Sequence, residues 1–528
     1  MTPLTDIDEA NAQLQTLYST VEEQQRAIDA KSEEIAVLRE QLAHLQRHLF
    51  GRRRETIDPN QLRLFETSQA LLTKLEEEVA AMPRKPKREP AKGHGRAPFP
   101  EDLPRQTVTL DVPEADRSCP DCSGPLHEIG VEVTERGHLI PARFVVKRYE
   151  RRKYACKDGH TVKVAPLPDG VIDGGKYEAS VYAHVATSKY ADHLPLNRIQ
   201  SIFKRDGVHF ARQTMWDLMV RLDEIVARPV LREMRRQLLE EEVLQADETP
   251  IAVQTEGQKG TRRGQLWAWR NVRGSPEEKV LADFWPDRSA KEPAAFLGDW
   301  SGTLLTDGYD GVNPVADRNG IVRAGCWAHA RRKFVDALDS NQKKAAAVLR
   351  PIQRLFWIER AVVARAQRDG LELGGLAQLR ATVRDRRSRH VLETIFEVVF
   401  ALDEDASIGA RGSLGKAARY VINQREPLTA MLRDGRLPIH NNDTERALRH
   451  VAVGRKNWGI FGSQRGGEVA ARLYSLTMSC KLAEVPPDAY IEDVIQRVST
   501  TPQERIAELT PWGWKARQAA DVEAQANS

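Results

Sequence analysis

Two acidic residues stand where a carboxylate can be left exposed at a strand end, and a third stands early in a helix. Asp247 follows the apolar run Val243-Leu-Gln-Ala in Gln245-Ala-Asp-Glu-Thr-Pro250. Asp307 follows Leu304-Leu-Thr, where Gly308 lets the chain turn away and frees the carboxylate. Glu445 stands one turn into a polar helix beginning at Asn441-Asn-Asp-Thr, with Arg446 and Arg449 beside it. Singly, an acid at a strand end is far more often a turn former or cap. Together, on neighbouring strands and a crossing helix, such acids make a hard oxygen site for divalent cations. That chemistry activates an oxygen nucleophile and offsets charge on a leaving alkoxide, as phosphodiester cleavage and strand transfer require. The cations Arg449, Arg455 and Lys456 that follow suit a nucleic-acid backbone held next to such a site.

Positioning these acids calls for a sheet. Val243–Asp247 with Ile251–Val253, then Gly264–Arg270, Lys279–Trp285, Gly302–Thr306 and Ile321–Gly325, read as strands, separated first by turns and later by helical stretches. Three strands close in sequence followed by α/β alternation is the order of a ribonuclease H-like sheet, in which the first and fourth strands are neighbours. From about 327 to 433 the pattern is helical and rich in Arg, read as a helical insertion into that domain. Cys326 and His329 follow the last strand. They are read as a packed thiol and a hydrogen-bonding imidazole, with a second metal site as the alternative, and Arg331, Arg332 and Lys333 beside them are phosphate contacts.

Upstream, Leu14, Val21, Ile28, Ile35, Leu42 and Leu49 repeat every seven residues, with Leu17, Leu38 and Leu45 in the second register and Gln24 and Lys31 as polar interruptions. This predicts a coiled coil whose natural use is self-association, most simply as a dimer. Pro83–Arg96 carries six Lys/Arg against one acid among Pro and Gly, an extended linker. Thr107–Val112 and Arg143–Tyr149 read as short strands around Cys119-x2-Cys122 and Cys156-x3-His160, ligands for a structural tetrahedral Zn²⁺, with His127 or His138 as alternative fourth ligands. Residues 177–226 read as three helices broken near Asp192-His193 and Asp206-Gly-Val208. The third opens at Phe210 and carries Arg212 and Gln213 at its start, the layout of a helix-turn-helix that offers these two side chains to a DNA groove.

The expected architecture is multidomain α+β: coiled coil 1–58, basic linker 59–100, zinc module 101–168, helix-turn-helix 170–230, catalytic domain 238–470 with its insertion at about 335–435, and a helical region 471–528. Charged residues are 29% of the 528, yet the net charge is only +4, so affinity for polyanions must come from local patches. No apolar run approaches the roughly 20 residues that span a bilayer, and five scattered cysteines do not form a disulfide framework. A cytoplasmic, reducing location with no membrane partner is expected.

Several of these segments together carry a family resemblance. Asp247-Glu-Thr, Thr306-Asp-Gly-Tyr309, Cys326-Trp-Ala-His-Ala-Arg-Arg-Lys-Phe334, Asn441-Asn-x-x-Glu-Arg-Ala-Leu-Arg449 and Gly454-Arg-Lys-Asn-Trp458 resemble the IS66 family of bacterial insertion-sequence transposases, as do Leu49-Phe-Gly-Arg-Arg53, Gln61-Leu-x-Leu-Phe65 and the cysteine cluster. The resemblance implies a DDE triad carried onto Asp247, Asp307 and Glu445, with Mg²⁺ or Mn²⁺. The substrate it implies is double-stranded DNA, the terminal inverted repeats of an element and a target, with small companion proteins of the same element as further partners. Relatives usually have Asp at the position of His440, and Cys-x2-Cys in place of Cys156-x3-His160. A catalytically silent relic that only binds DNA is the rival reading.

Overall fold

The computed structural model describes residues 175–526 apart from 256, 258 and 259, together with 143–155, 162–167, 105–108 and positions 20, 23, 24, 31, 111, 131 and 133. The coiled-coil repeat, save those four scattered positions, and the linker Pro83–Arg96 lie outside the described residues, as do Cys119, Cys122, Cys156 and His160. The chain divides into two units, Arg52–Val146 and the remainder. In the first, the described residues have no regular structure.

The run Arg143–Tyr149, expected as a strand, is not one. Val145, Val146 and Tyr149 are exposed, and an extended run becomes a strand only when a partner takes up its backbone groups. The antiparallel pair found nearby is instead Lys153–Ala155 with Val162–Val164.

Four helices come next: α1 (Ala179–Tyr190), α2 (Leu196–Arg205), α3 (Arg212–Leu222) and α4 (Arg228–Leu238). The α2–α3 turn passes through Gly207 at φ 80°, a left-handed position that glycine takes without strain. Met215, Leu218, Met219 and Leu222 give α3 one buried face. A π-helical turn, Asp223–Ala227, carries α3 on into α4. The buried Asp223 carboxylate accepts from Arg472 Nε at 2.5 Å and Nη2 at 2.9 Å, and from Arg228 at 3.1 Å.

The sheet has five strands: β1 (Val243–Gln254), β2 (Thr261–Asn271), β3 (Val280–Trp285), β4 (Thr303–Thr306) and β5 (Val322–Gly325). Their order is β3-β2-β1-β4-β5, the first three antiparallel to one another and the last two parallel to β1. Val243–Asp247 and Ile251–Val253 thus belong to one continuous strand that does not end at Asp247. Trp267, Trp269 and Trp285 are buried at its centre. Helix α5 (Lys291–Leu297) stacks Phe296 on Trp269, ring centres 4.4 Å apart, and α6 (Asn313–Asn319) links β4 to β5.

Past β5 the chain is helical: α7 (Trp327–Asp336), α8 (Gln342–Arg368), α9 (Leu373–Val383), α10 (Arg389–Glu404), α11 (Ser413–Asn423) and α12 (Arg425–Thr429). These share a core that includes Trp327, Phe334, Ile352, Leu355, Ile395, Val399 and Val421. Then α13 (Asn442–Trp458) returns to β1, and α14 (Gln464–Leu482) packs on β3. There Ser475 Oγ accepts from Ala282 N at 2.7 Å, and a Cβ on Gly467 would stand 2.8 Å from the Phe284 ring, so only glycine permits that approach. Helix α14 runs without a break through residue 470, and α15 (Pro487–Arg497) and α16 (Pro511–Ala526) complete the chain. No helix among the described residues is long and apolar enough to cross a membrane.

Candidate active site

β1 and β4 run side by side in the register Val243↔Thr303, Leu244↔Leu304, Gln245↔Leu305. Continued two residues further, that register sets Asp247 level with Asp307 at the end of β4. Gly308, at φ 93°, turns the chain away there. Tyr309 N–H donates to Asp307 Oδ1 at 3.1 Å, and Tyr420 of α11 donates to the Asp307 carbonyl at 2.7 Å. Asp247 is therefore held by its pairing with Ala268 of β2, and Asp307 by the turn that leaves β4.

Glu445 comes from α13, which lies across β1. Asn441 Nδ2 donates to Ala246 O at 2.8 Å, Thr444 Oγ1 bonds Gln245 Oε1 at 3.3 Å, and Arg455 Nη1 donates to Thr249 Oγ1 at 2.7 Å and Pro250 O at 2.6 Å. Gln245, Asp247 and Thr249 alternate onto one face of β1, so the two outer contacts frame Asp247 beneath the helix. Arg332 Nη2 stands 3.4 Å from Glu445 Oε2 and His329 Nε2 3.7 Å from Oε1.

Burial raises the Asp247 carboxyl to about 8, helped by the neighbouring charges of Asp307 and, more weakly, Glu445, and opposed by the Glu248 N–H bonded to it at 2.9 Å. Both acids thus lie near enough to Asp247 for their charge to be felt there. Burial, with Arg332 nearby, also lowers the pKa of His329 despite Asp307 and Glu445. Among the described residues, however, no three His, Cys, Asp or Glu side chains converge closely enough to hold one ion. Glu445 is engaged by Arg332 and His329 instead. The donor set still suits a hard divalent cation: its ligands are carboxylate oxygens, and Glu445 Oε1 is buried with no hydrogen-bond partner.

The anticipated cations fall in several places. Arg332 touches Glu445; Lys333 lies over the Tyr420 ring at 4.6 Å; Arg446 pairs with Asp443 at 3.1 Å. Arg331 lies on α7, Arg449 and Lys456 are exposed on α13, and Arg455 is spent on β1. Arg212 and Gln213 open α3 and are exposed, Gln213 bonded to Asp217 at 2.8 Å. Cys326 is buried, its Sγ accepting from Asn441 N–H at 3.3 Å, and burial pushes its thiol up to about 11. His440 stacks on Phe356 of α8, ring centres 6.0 Å apart.

Sequence reasoning passed over Glu248 and Arg288. Glu248 pairs with Arg288, whose guanidinium lies 4.5 Å from the centre of the Tyr309 ring. The Asp247-Glu248 pair was a visible signal for the first; nothing in the sequence singled out the second.

A family model described as the transposase IS66 family matches residues 174–469, which include all three acids. The zinc-finger binding domain of transposase IS66 matches 116–158, containing Cys119, Cys122 and Cys156 and stopping short of His160. Transposase C of IS166 homeodomain matches 37–108, and the IS66 C-terminal element 475–512. The uncharacterized protein y4jD of Sinorhizobium fredii is 32% identical over 527 residues, 94% of this chain and 98% of its own. Protein y4hP of the same organism, also uncharacterized, is 30% identical over 519 residues, 92% and 90% of the two chains. With a match across the whole sheet and its insertion, and full-length likeness to such relatives, this chain belongs to the IS66 family of transposases.

Proposed function

We propose that the chain is a DDE transposase that cuts DNA at the terminal inverted repeats of an insertion sequence and joins the freed 3′ ends to target DNA. The observation that carries this reading is that Asp247, two residues past the last β1–β4 pair, and Asp307, just after the end of β4, feel each other's charge, with the helix that bears Glu445 fastened across the same stretch of β1. The strand order β3-β2-β1-β4-β5, antiparallel and then parallel, supports a ribonuclease H-like catalytic domain.

Asp247, Asp307 and Glu445 would hold Mg²⁺ or Mn²⁺, which supplies charge to activate an attacking oxygen and to offset that on the departing one. The protein's own part is positional. Asp247 carries a proton near neutral pH until a cation displaces it. Arg332 keeps Glu445 in place beforehand. Arg446, Arg449, Lys456, Arg331 and Lys333 serve as phosphate contacts, and the exposed start of α3, with Arg212 and Gln213, reads the element end. Zn²⁺ on Cys119, Cys122, Cys156 and His160 holds the small module together, and the heptads pair two protomers so that both ends are processed at once.

The test is a nicking assay on an end-containing duplex with Mg²⁺. Asp247→Ala should abolish nicking and leave binding intact; nicking retained by that variant would remove the site assignment. One observation favours the silent DNA-binding relic, namely that Glu445 is paired with Arg332. Wild-type protein that binds ends yet cuts with neither Mg²⁺ nor Mn²⁺ would establish that reading instead.

A further inference from the structure

The longest helix of the insertion, α8, carries Lys343, Lys344, Arg350, Arg354, Arg360, Arg365 and Arg368 against a single acid, Glu359. That acid faces inward, buried and bonded to Arg384 at 2.6 Å. The buried face is lined by Ala345, Val348, Ile352, Leu355, Val362 and Ala366. On the opposite side, at the 3.6-residue helical period, Lys343, Arg350, Arg354, Arg365 and Arg368 fall within a stripe about 60° wide, and Arg360 flanks it. Lys343, Arg350, Arg354 and Arg360 are exposed, and among the described residues no acidic side chain pairs with them.

A merely solvated helix face interleaves its charges, because oppositely charged i,i+4 neighbours stabilise and like ones repel. Here Arg350 and Arg354 are like-charged i,i+4 neighbours with no acidic partner among the described residues, while Arg365 and Arg368 at the far end pair with Asp369, so the stretch from Lys343 to Arg360 is the part left for a polyanion from outside the chain. From Lys343 to Arg360 the unpaired cations span about 26 Å at 1.5 Å per residue, roughly three-quarters of a turn of duplex DNA at about 34–36 Å. The helix is also joined to the candidate site. Phe356 stacks on His440, and Arg384, bonded to Glu359, donates to the carbonyls of Met431 at 2.8 Å and Leu437 at 2.7 Å, on the segment leading to Asn441 and Glu445.

We propose that the outer face of α8 is a second track for double-helical DNA, distinct from the carboxylate site, gripping the phosphate backbone without regard to sequence. The proposal rests on the transposase reading, and the backbone links hold the tracked duplex in fixed relation to Glu445.

The experiment measures binding of the full chain to a fluorescent end-containing duplex by anisotropy across a salt series. In the variant Lys343→Gln/Arg350→Gln/Arg354→Gln/Arg360→Gln, the slope of log K against log salt should become shallower by about 3.6, at about 0.9 per phosphate contact. The double variant Arg350→Gln/Arg354→Gln should lose about 1.8 on the same scale, and it decides the matter should the quadruple variant fail to fold. An unchanged slope with binding intact overturns the track alone, and is the outcome expected if an acidic protein surface occupies the stripe. Wild-type protein that binds no duplex overturns both the track and the transposase reading.

Discussion

Substituting Asp247→Asn in metal-free protein should remove a large pH dependence of stability. Burial first, then Asp307, hold the Asp247 carboxyl at about 8, against about 3.9 in an unfolded chain. The folded state therefore keeps a proton that the unfolded state has released. The stabilisation this gives is complete below about pH 4 and is lost as pH rises through about 8. Linkage with these two values gives a loss of about 5 kcal/mol by pH 8, of which about 2 kcal/mol falls between about pH 6 and pH 8. Asparagine has no proton to lose. Melting curves in chelator should thus show wild type falling behind Asp247→Asn by roughly 2 °C over that interval, at about 1 °C per kcal/mol for a chain of this size. His193, His329, His440 and His450, whose pKa values burial lowers, act with the opposite sign. They are common to both proteins and cancel in the difference. Adding Mg²⁺ should reverse the order as pH rises, because the cation takes only the ionised carboxylate. Parallel pH profiles for the two proteins in chelator would refute the reasoning, since Asp247 would then be an ordinary solvated acid.

Three further outcomes follow from buried contacts and from the cysteine pattern. Arg384→Met deletes a fully buried guanidinium that serves Glu359 and the carbonyls of Met431, Asp434 and Leu437; denaturant unfolding should show a loss of about 3–5 kcal/mol. Asp223→Ala leaves Arg472 without its bidentate partner where α3 meets α14, and a comparable cost of about 3 kcal/mol should appear in the same assay. Cys119→Ser should lower the zinc content measured by atomic emission from about one equivalent per chain to near zero, as expected of a structural site reduced to three ligands.

The end of β4 was legible because its signals are local: the apolar Leu304-Leu305 run, then Asp307, then a glycine at φ 93°. The length of β1 was misread for a reason that is also local. Pro250 stands between the two runs, and proline cannot donate to a ladder. Beyond Gln245, however, β4 no longer flanks β1, and the carbonyl of Ala246 and the groups of Ala252 and Gln254 on that edge are met by Asn441 and Phe461 instead. Pro250 points its missing N–H to this open edge, keeps its pairing with Gln265 on the other side, and costs the strand nothing. Arg143–Tyr149 failed in the opposite sense, having strand composition and, among the described residues, no strand paired with it.

Glu445 lies nearly 200 residues beyond Asp247, and apart from the family resemblance its surroundings marked it only as an acid early in a helix. What brings it to β1 is the set of bonds from Asn441, Thr444 and Arg455, and the segment before it is fastened by Arg384. In sequence, Arg384 is one arginine in Arg384-Asp-Arg-Arg-Ser388, indistinguishable from its exposed neighbours Arg386 and Arg387. It is buried because a π-helical turn between α9 and α10 rotates it toward Glu359. The insertion thus does structural work for the site it interrupts: the interior of α8 fixes the route by which the third acid arrives, and periodicity alone marks that interior only as core.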